Sequence, residues 1–422
     1  MTGAIDRRGL GVLAAGHVCA DMAQGAVPAL LPFLIDQRGL SYGAAGALVL
    51  ASSVGSSAIQ PLFGLSSDRL ALPWLLPLGV LLAGLGVALV GLTTGYAATI
   101  AAVAISGVGV AAFHPEAARF ANQVSGERRG AGMSLFSLGG NAGFALGPIL
   151  VTPLVLALGL HGTLLLAVLP MVVAAVLVRD LDRLRRVAAD KSAHVASMMS
   201  DDDHDRDDWS AFLRLGGVIS LRSGIYFGLQ AFVPVWFIHH LGTGKGAGNA
   251  ALTAMLVTGA AGTFFGGRIV DRLGRRRLLV GLTALSFPLL AALVVAPSPL
   301  TAGAIVSLVG FVAIATFPVT VIMGQEYLPS RLGLASGVTL GLAIGVGGIA
   351  AAVMGQLADA FGLRTVMWVI AALALPMVAL ARSLPVTRAE RRAQGAAATA
   401  PTRGAGAPSA PATGSASPHP SG

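Results

Sequence analysis

The stretch that decides the fold is GRIVDRLGRRR at residues 267–277, because its first half repeats a segment found earlier in the chain. The earlier segment is GLSSDR at residues 64–69, and it lies 203 residues before the later one. The same offset, to within one residue, relates three further pairs: Pro115 and Pro318, Arg129 and Arg331, and Ser134 and Ser336. Offsets this steady over three pairs of apolar runs indicate a duplicated chain.

The composition places both copies in a membrane. Of the 422 residues, 55% are hydrophobic and only 11% are charged, and the mean hydropathy is +0.78. Soluble domains carry roughly 25% charged residues, so water cannot be the solvent around this chain. The apolar runs are continuous and rich in Ala, Leu, Gly and Val, whereas barrel strands alternate apolar and polar residues. The sequence therefore predicts membrane-spanning helices, which keep their backbone hydrogen bonds within one segment.

A spanning helix needs about 20 apolar residues, and twelve segments of that kind can be placed on the chain. The predicted spans are 10–35, 44–65, 72–93, 97–123, 129–157, 160–179, 213–238, 248–270, 277–297, 300–325, 331–357 and 363–383. Six spans per copy is an even number, so the two copies have the same orientation and are related by an axis along the membrane normal. The predicted fold class is an all-α membrane protein with twelve transmembrane helices in two parallel six-helix repeats.

The spans divide the chain into five predicted parts. Residues between the sixth and seventh spans are polar, and residues beyond Leu384 are rich in Ala, Pro, Gly, Ser and Thr, which predicts disorder. The parts are a cytoplasmic N-terminus (1–9), an N-terminal half (10–179), a cytoplasmic central loop (180–212), a C-terminal half (213–384) and a disordered cytoplasmic tail (385–422).

The basic residues predict the orientation and exclude nucleic acid as a partner. The net charge is +9, but 24 of the 28 Lys and Arg residues fall on the side of the predicted membrane that carries the termini. Arg38, Lys245 and Arg364 lie opposite, and Arg222 lies inside a span. Because the positive side of a membrane protein is cytoplasmic, both termini are predicted to be inside. The single cysteine, Cys19, lies within the first span and has no partner for an intramolecular disulfide.

The two copies of the loop motif, together with the six-plus-six layout, resemble the major facilitator superfamily. The resemblance covers roughly residues 9–385 and implies that the motif loops gate the two halves. The first copy departs from the family pattern, because Leu70-Ala-Leu-Pro73 replaces its basic run. The matching residues are Gly64, Asp68 and Arg69 in the first copy, and Gly267, Asp271, Arg272, Gly274 and Arg275 in the second.

Within the superfamily, four segments are similar to the fosmidomycin-resistance branch of efflux transporters. They are Gly16-His17 with Asp21, Gln60-Pro-Leu-Phe-Gly64, Phe113-His-Pro-Glu116, and Ser134-Leu-Phe-Ser-Leu-Gly-Gly-Asn141. A further run resembles the antiporter signature of the fifth span, namely Gly139, Gly143, Gly147 and Pro148. Glycines every four residues also let helices pack closely, so close packing and an antiporter role are compatible. The resemblance implies proton-driven export and leaves the substrate open.

Ionisable residues inside spans are costly and mark functional sites. In the first half, the expected proton-coupling or cavity residues lie on three spans: His17, Asp21 and Gln24 on the first, His114, Glu116 and Arg119 on the fourth, and Asn141 on the fifth. At about 1.5 Å per residue, most of them fall in one slab about 11–18 Å from the predicted cytoplasmic face. Asp21 is the first candidate for the proton carrier and Glu116 the second. A static polar cluster that holds the helices together is the alternative.

In the second half, Arg222 and Tyr226 are four residues apart on the seventh span, with Gln230 one turn further. Arg222 is predicted either to bind an anionic substrate such as a phosphonate or to neutralise Asp21 or Glu116. Gln325 and Glu326 end the tenth span, where a solvated helix end is the expectation. His239 and His240 are adjacent, so their side chains diverge on a helix and no metal site is predicted.

The leading hypothesis is a proton-coupled antiporter of the inner membrane that exports a small drug or metabolite. It needs protons, a small molecule and the bilayer as partners, no cofactor and no nucleic acid, and it is expected to be monomeric. A proton-coupled importer of the same fold is the first alternative. The second is an integral-membrane enzyme that uses His114 and Glu116, for which the sequence offers neither a nucleophile nor a set of metal ligands.

Overall fold

A computed structural model describes residues 5–57, 59–60, 72–126, 128–196, 207–387 and 390–391. These residues contain twelve long α-helices. They are α1 (Arg7–Arg38), α2 (Tyr42–Ser57), α3 (Leu75–Leu89), α4 (Tyr96–Val124), α5 (Arg129–Leu158), α6 (Val168–Ala196), α7 (Trp209–His239), α8 (Lys245–Leu273), α9 (Arg275–Val294), α10 (Pro299–Tyr327), α11 (Leu332–Phe361) and α12 (Leu363–Ser383). Three 3-10 segments follow α3, α5 and α10: Val90–Leu92, Gly159–Ala167 and Pro329–Arg331.

The helices have the length and composition of membrane spans. Within the described ranges, nine segments are long and apolar enough to cross a bilayer. One of them, 130–187, covers most of α5 and α6, which the 3-10 segment Gly159–Ala167 separates; φ is +62° at Gly159. The prediction of an all-α membrane protein is confirmed, and the twelve helices are consistent with the twelve predicted spans.

The duplication seen in the sequence is also present in the helices. Helices α4 and α10 are both 29 residues long and begin at Tyr96 and Pro299, which are separated by the offset of the repeat. Helices α5 and α11 are both 30 residues long and are related by the same offset. The chain just before each half's first helix is tied to the end of its fourth helix. The backbone N–H of Asp6 donates to the Val124 carbonyl at 2.9 Å, and that of Asp208 donates to the Tyr327 carbonyl at 2.7 Å.

The halves, α1–α6 and α7–α12, are in close contact at one end, and among the described residues this contact lessens toward the other end. We call the end where α1 and α7 begin the terminus face, and the opposite end the far face. This decrease can be followed along one stripe of α11 through the space beside each glycine. A Cβ on Gly355 would lie 2.4 Å from the Tyr42 carbonyl of α2, and one on Gly348 would lie 2.5 Å from Ser53. Nearer the terminus face, Gly341 and Gly337 have no atom of the described residues within 4 Å of that position. Among the described residues, the close contact of α11 with the first half therefore ends before the terminus face.

Polar contacts join the halves at the far face. The carboxylate of Asp359, at the end of α11, accepts hydrogen bonds from the backbone N–H groups of Tyr42 and Gly43, both at 2.8 Å. These two residues begin α2, so a residue of one half caps a helix of the other. Lys245 at the start of α8 forms an ion pair with Asp36 near the end of α1. Opening the far face requires all of these contacts to break.

Helix α6 extends beyond the predicted sixth span, which ended at residue 179. It continues to Ala196, so the first part of the predicted central loop is helical. Two ion pairs to the N-terminal segment hold the extension: Arg8 with Asp180 and Arg183 with Asp6, both at 2.6 Å. The extension is amphipathic and contains charged residues. These residues lower the hydropathy, so the predicted span ends before the helix does. Helix α1 begins at Arg7, so part of the predicted N-terminus 1–9 is also helical.

The sequence predicted disorder from residue 385 onward. Residues 385–387 and 390–391 are described and packed against the second half, so the prediction of disorder is corrected at these residues. The Arg276 side chain donates to the carbonyls of Leu384 and Arg382, at 2.5 and 2.7 Å. The Tyr327 hydroxyl donates to the Pro385 carbonyl at 2.7 Å. The side chain of Glu390 is buried. The remaining tail lies outside the described residues.

Candidate functional site

Asp21 lies between two imidazoles deep in the first half. His17, one turn earlier on α1, places its Nε2 3.3 Å from one carboxylate oxygen of Asp21. His114 on α4 places its Nε2 3.2 Å from the other oxygen. The side chains of His17 and Asp21 are buried, and that of His114 is 22% exposed. We call these three residues the Asp21 cluster, and the structure brings them together from two of the three predicted helices.

The second nitrogen of each imidazole determines where protons can be. Nδ1 of His17 lies 2.8 Å from the Phe136 carbonyl, and Nδ1 of His114 lies 2.9 Å from the Val110 carbonyl. A carbonyl only accepts hydrogen bonds, so each Nδ1 carries its proton and donates it. Each Nε2 then faces a carboxylate oxygen, and a hydrogen bond between them needs one further proton. The Asp21 cluster therefore offers two places, each between an Nε2 and a carboxylate oxygen, where a proton can be held.

The Asp21 cluster is also the place in the described ranges where a metal ion would find three ligands. The ligand atoms of the three side chains lie within 4.8 Å of one another. Backbone carbonyls orient both imidazoles through Nδ1, as is usual for histidine ligands. The sequence predicted no metal site. The two contacts between Nε2 and carboxylate oxygen, at 3.3 and 3.2 Å, suit shared protons without an ion, and a chelator distinguishes the two cases.

Glycines of α5 bring that helix against the Asp21 cluster. A Cβ on Gly143 would lie 2.4 Å from the Val18 carbonyl of α1, and one on Gly139 would lie 2.7 Å from the Ala14 carbonyl. A Cβ on Gly140 would lie 2.5 Å from Nε2 of His17. Gly147 approaches the α1 backbone at Gly25 in the same way. The antiporter-like run therefore packs directly on the helix that carries Asp21, and Pro148 follows it within α5.

Glu116 and Arg119 pair with each other rather than with the Asp21 cluster. Glu116 is fully buried, and its carboxylate forms an ion pair with Arg119, whose side chain is 28% exposed. The Arg119 guanidinium also lies 5.0 Å from the centre of the Phe120 ring. Glu116 and Arg119 follow His114 by two and five residues, so α4 supplies both a member of the Asp21 cluster and a separate ion pair.

Arg222 forms no ion pair with Asp21 or Glu116 in this structure, and its predicted neutralisation of either carboxylate stays a prediction. Asp21 is engaged by the two imidazoles and Glu116 by Arg119. The Arg222 guanidinium lies 5.3 Å from the centre of the Phe317 ring of α10. Tyr226 follows one turn later on α7 and is half-buried.

Gln24 and Asn141 are the two remaining cavity candidates. Gln24 lines a narrow cavity between the halves, together with Gln230 of α7 and Ser52 and Ser53 of α2. Asn141 is half-buried on α5, directly after Gly140. Gln24 thus lies where α1, α2 and α7 meet, on the far-face side of the Asp21 cluster.

The second copy of the predicted gating motif is partly described, and the first is not. Gly64, Asp68 and Arg69 lie outside the described residues. Gly267, Asp271 and Arg272 are described only as part of the α8 backbone. Gly274 has φ +81° and separates α8 from α9. Arg275 forms an ion pair with Glu326 at 3.0 Å, so Glu326 is paired rather than simply solvated as predicted.

Sequence reasoning missed a buried asparagine between the halves. The Asn249 side-chain amide of α8 donates to the Ala29 carbonyl of α1 at 3.0 Å and to the Thr152 hydroxyl of α5 at 2.9 Å. Asn249 is 1% exposed. Its place one residue inside the predicted eighth span was the available signal, because a polar side chain there needs a partner.

Comparisons with known proteins agree with this architecture. The model of the Major Facilitator Superfamily matches residues 13–352 and 241–415. The fosmidomycin resistance protein of Escherichia coli (strain K12) is 30% identical over 356 residues, which is 83% of this chain and 86% of that protein. The uncharacterized MFS-type transporter YfnC of Bacillus subtilis (strain 168) is 30% identical over 362 residues, or 84% and 87% of the two chains.

Among solved structures, a bacterial homologue of the human lysosomal transporter Spinster in an inward-facing and occupied conformation has the same fold. Its TM-score is 0.73 at 13% identity, with 88% of this chain and 95% of that chain covered. The unoccupied form gives the same TM-score.

Proposed function

We propose that this chain, which belongs to the major facilitator superfamily, is a proton-coupled antiporter that exports a small solute. Membership makes the chain a multi-pass membrane transporter of a small molecule and argues against the alternative of an enzyme that uses His114 and Glu116. One observation carries the finer proposal. The Asp21 carboxylate is faced by two imidazole nitrogens, and each of these contacts becomes a hydrogen bond only when a proton is shared.

Alternating access supplies the second element of the proposal. The halves are joined at the far face by Asp359, Asn249 and Lys245, and among the described residues nothing lies within 4 Å of a Cβ at Gly337 or Gly341, nearer the terminus face. The excess of basic residues on the terminus side supports a cytoplasmic location for that face, with both termini inside the cell. The conformation described here would then be open to the cytoplasm, and rocking of the halves would expose Asp21 to the other side. Because the relatives named here are bacterial, we place the transporter in a bacterial inner membrane, as a monomer.

Export is supported by the name of one relative, the fosmidomycin resistance protein, since export of a toxic compound confers resistance. In this mechanism the Asp21 cluster takes up protons on the far side and releases them to the cytoplasm as solute leaves. An importer of the same fold would carry proton and solute in the same direction. The two mechanisms therefore respond to opposite pH gradients.

The test is gradient-driven flux in liposomes that contain the purified protein. A growth screen of an expressing strain against toxic compounds supplies the substrate, beginning with fosmidomycin. An acidic lumen should drive substrate uptake, and Asp21→Asn should abolish this uptake while retaining solute exchange in the absence of a gradient. Asp182→Asn is the control, because that carboxylate is 84% exposed on α6.

Uptake driven instead by an alkaline lumen would establish symport. Full coupled uptake by Asp21→Asn would move the proton site elsewhere. Loss of coupling on addition of EDTA, with recovery on addition of Zn²⁺, would make the Asp21 cluster a metal site rather than a proton site.

A further inference from the structure

The second half carries a buried guanidinium at the same depth as the Asp21 cluster of the first. Helix α1 begins at Arg7 and α7 begins at Trp209, so Asp21 and Arg222 lie almost equally far from the starts of their helices. At about 1.5 Å per residue, both are about 20 Å along their helices. The aromatic neighbour of Arg222, Phe317, follows His114 by the offset of the repeat. Arg222 and Phe317 therefore lie at nearly the depth of Asp21 and His114 in the first half, although in the repeat Arg222 corresponds to Ala20, next to Asp21.

Arg222 lacks the partner that a buried charge needs. The residue is 5% exposed, and its Nε has no hydrogen-bond acceptor among the described residues. It forms no ion pair with any described carboxylate, whereas Glu116 is paired with Arg119 within the first half. An uncompensated charge inside a membrane protein is costly, and such residues mark ligand or ion pathways. The missing partner of Arg222 is therefore an anion that is not part of the described chain.

A second unpaired donor lies on the same face of α7. The side-chain amide nitrogen of Gln230 has no acceptor among the described residues, and the residue is 1% exposed. It lies two turns after Arg222, which is about 12 Å along the helix, with Tyr226 between them. Gln24 of α1 lines the same narrow cavity as Gln230. The face thus offers a cation at one end and amide groups at the other.

Resting on the function proposed above, we propose that Arg222 binds the oxyanion of the transported solute, a phosphonate or a carboxylate. Guanidinium groups match these oxyanions because two parallel N–H groups can donate to two oxygens at once. The solute extends from Arg222 toward Gln230, so its polar groups lie within about 12 Å of each other. The solute charge is recognised by the second half, and the protons are carried by the Asp21 cluster of the first.

Binding in detergent, without a pH gradient, tests this assignment separately from coupling. The probes are phenylphosphonate and fosmidomycin, with benzyltrimethylammonium as a cation of size similar to phenylphosphonate. Thermal stabilisation and calorimetry should show that the wild-type protein binds the anions and not the cation. Arg222→Gln should weaken anion binding by at least tenfold, and Arg222→Lys should weaken it less. Arg214→Gln is the control, because Arg214 lies on the same helix near its start, is only half-buried, and donates to the carbonyls of Ser210 and Ser383.

The ligand-free protein gives an independent readout. If Arg222 is unpaired, Arg222→Gln should raise the Tm measured without ligand, whereas loss of a structural ion pair would lower it. The proposal is overturned if the wild-type protein shows no preference for the anions, or if Arg222→Gln binds them within threefold of wild type. It is also overturned if Arg222→Gln lowers the Tm without ligand. Intact anion binding with no gradient-driven uptake would instead refute only the proton coupling.

Discussion

Substitution of Gly143 by alanine tests whether close packing of α5 on α1 positions the Asp21 cluster. The added Cβ would lie 2.4 Å from the Val18 carbonyl and 3.0 Å from the Cβ of Asp21. The first contact is with backbone, so a side-chain rotation cannot relieve it. The two helices must separate, and the helix that moves is the one that carries His17 and Asp21.

The size of the effect follows from these distances. An ordinary contact to Cβ begins near 3.4 Å, so α1 and α5 must move apart by about 1 Å. Overpacking of this kind costs about 1–3 kcal/mol, and the gain of about 0.5–1 kcal/mol from replacing glycine within a helix offsets part of it. Displacement of reacting groups by about 1 Å can reduce a rate by about a hundredfold. Gly143→Ala should therefore lose most of its coupled transport while losing only a modest part of its stability.

The assay compares gradient-driven uptake in liposomes with the Tm of the purified protein. Gly281→Ala is the matched control, because Gly281 is exposed on α9 and no atom of the described residues lies within 4 Å of the added Cβ. The control should transport at the wild-type rate. If Gly143→Ala transported at the wild-type rate with an unchanged Tm, the close approach of α1 and α5 would not position the cluster.

Two further variants test the ion pair of α4 and the far-face contact. Arg119→Gln should lower the Tm more than Glu116→Gln. It leaves the fully buried Glu116 carboxylate without an ion-pair partner, at a cost of about 3 kcal/mol. In Glu116→Gln, by contrast, the Arg119 side chain can extend toward water. Asp359→Ala should weaken closure of the far face by about 1–2 kcal/mol, because the N-terminus of α2 loses two hydrogen bonds. This change shifts the equilibrium toward the conformation that is open at the far face by about 5- to 30-fold. Spin-label distances across the far face measure this shift.

Each of these two variants has its own control and contrary outcome. The double variant with glutamine at both 116 and 119 should recover part of the lost Tm, and an equal loss in the two single variants would mean that burial of Glu116 does not dominate. For the far face, substitution of the exposed Arg364 by alanine should leave the distances unchanged. Unchanged distances in Asp359→Ala would show that the cap does not hold the halves together.

The repeat and the spans could be predicted from the sequence because both depend on local pattern. Hydropathy marks a spanning helix without knowledge of its neighbours, and the offset of 203 residues requires only the chain itself. The closeness of His17 and Asp21 followed from helical spacing, and His114 was placed in the same slab by its depth. Partners set by tertiary packing could not be predicted. Asp359 caps a helix that begins at Tyr42, in the other half of the chain, and no local pattern indicates that pairing.

The charged residues also show the difference between features set by local sequence pattern and features set by tertiary packing. Glu116 and Arg119 are one helical turn apart, so their pairing was available from helical spacing, yet depth alone placed both in the cavity. Arg222 was correctly placed in the membrane, but its lack of a partner depends on where two distant carboxylates point. The extension of α6 was missed for another reason. Hydropathy detects where lipid ends, whereas the ion pair of Arg8 with Asp180 holds the helix together beyond that point.

The way in which the two halves differ argues for function at the buried charges. Both halves retain what the scaffold needs, since each has a proline at the same place in its fourth helix and an aspartate that ties its first helix to its fourth. The polar groups inside the membrane are not retained. The first helices of the halves are related by 202 residues, as Asp6 and Asp208 show, so Ile219 corresponds to His17. The fourth helices are related by 203 residues, so Val319 and Ile322 correspond to Glu116 and Arg119. If these charges served only to hold helices together, the second half, which packs its equivalent helices in the same order, would need them too. The second half lacks these charges and carries Arg222 instead. The two halves therefore have the same helix arrangement but different buried charged groups, and we infer that these groups have different functions.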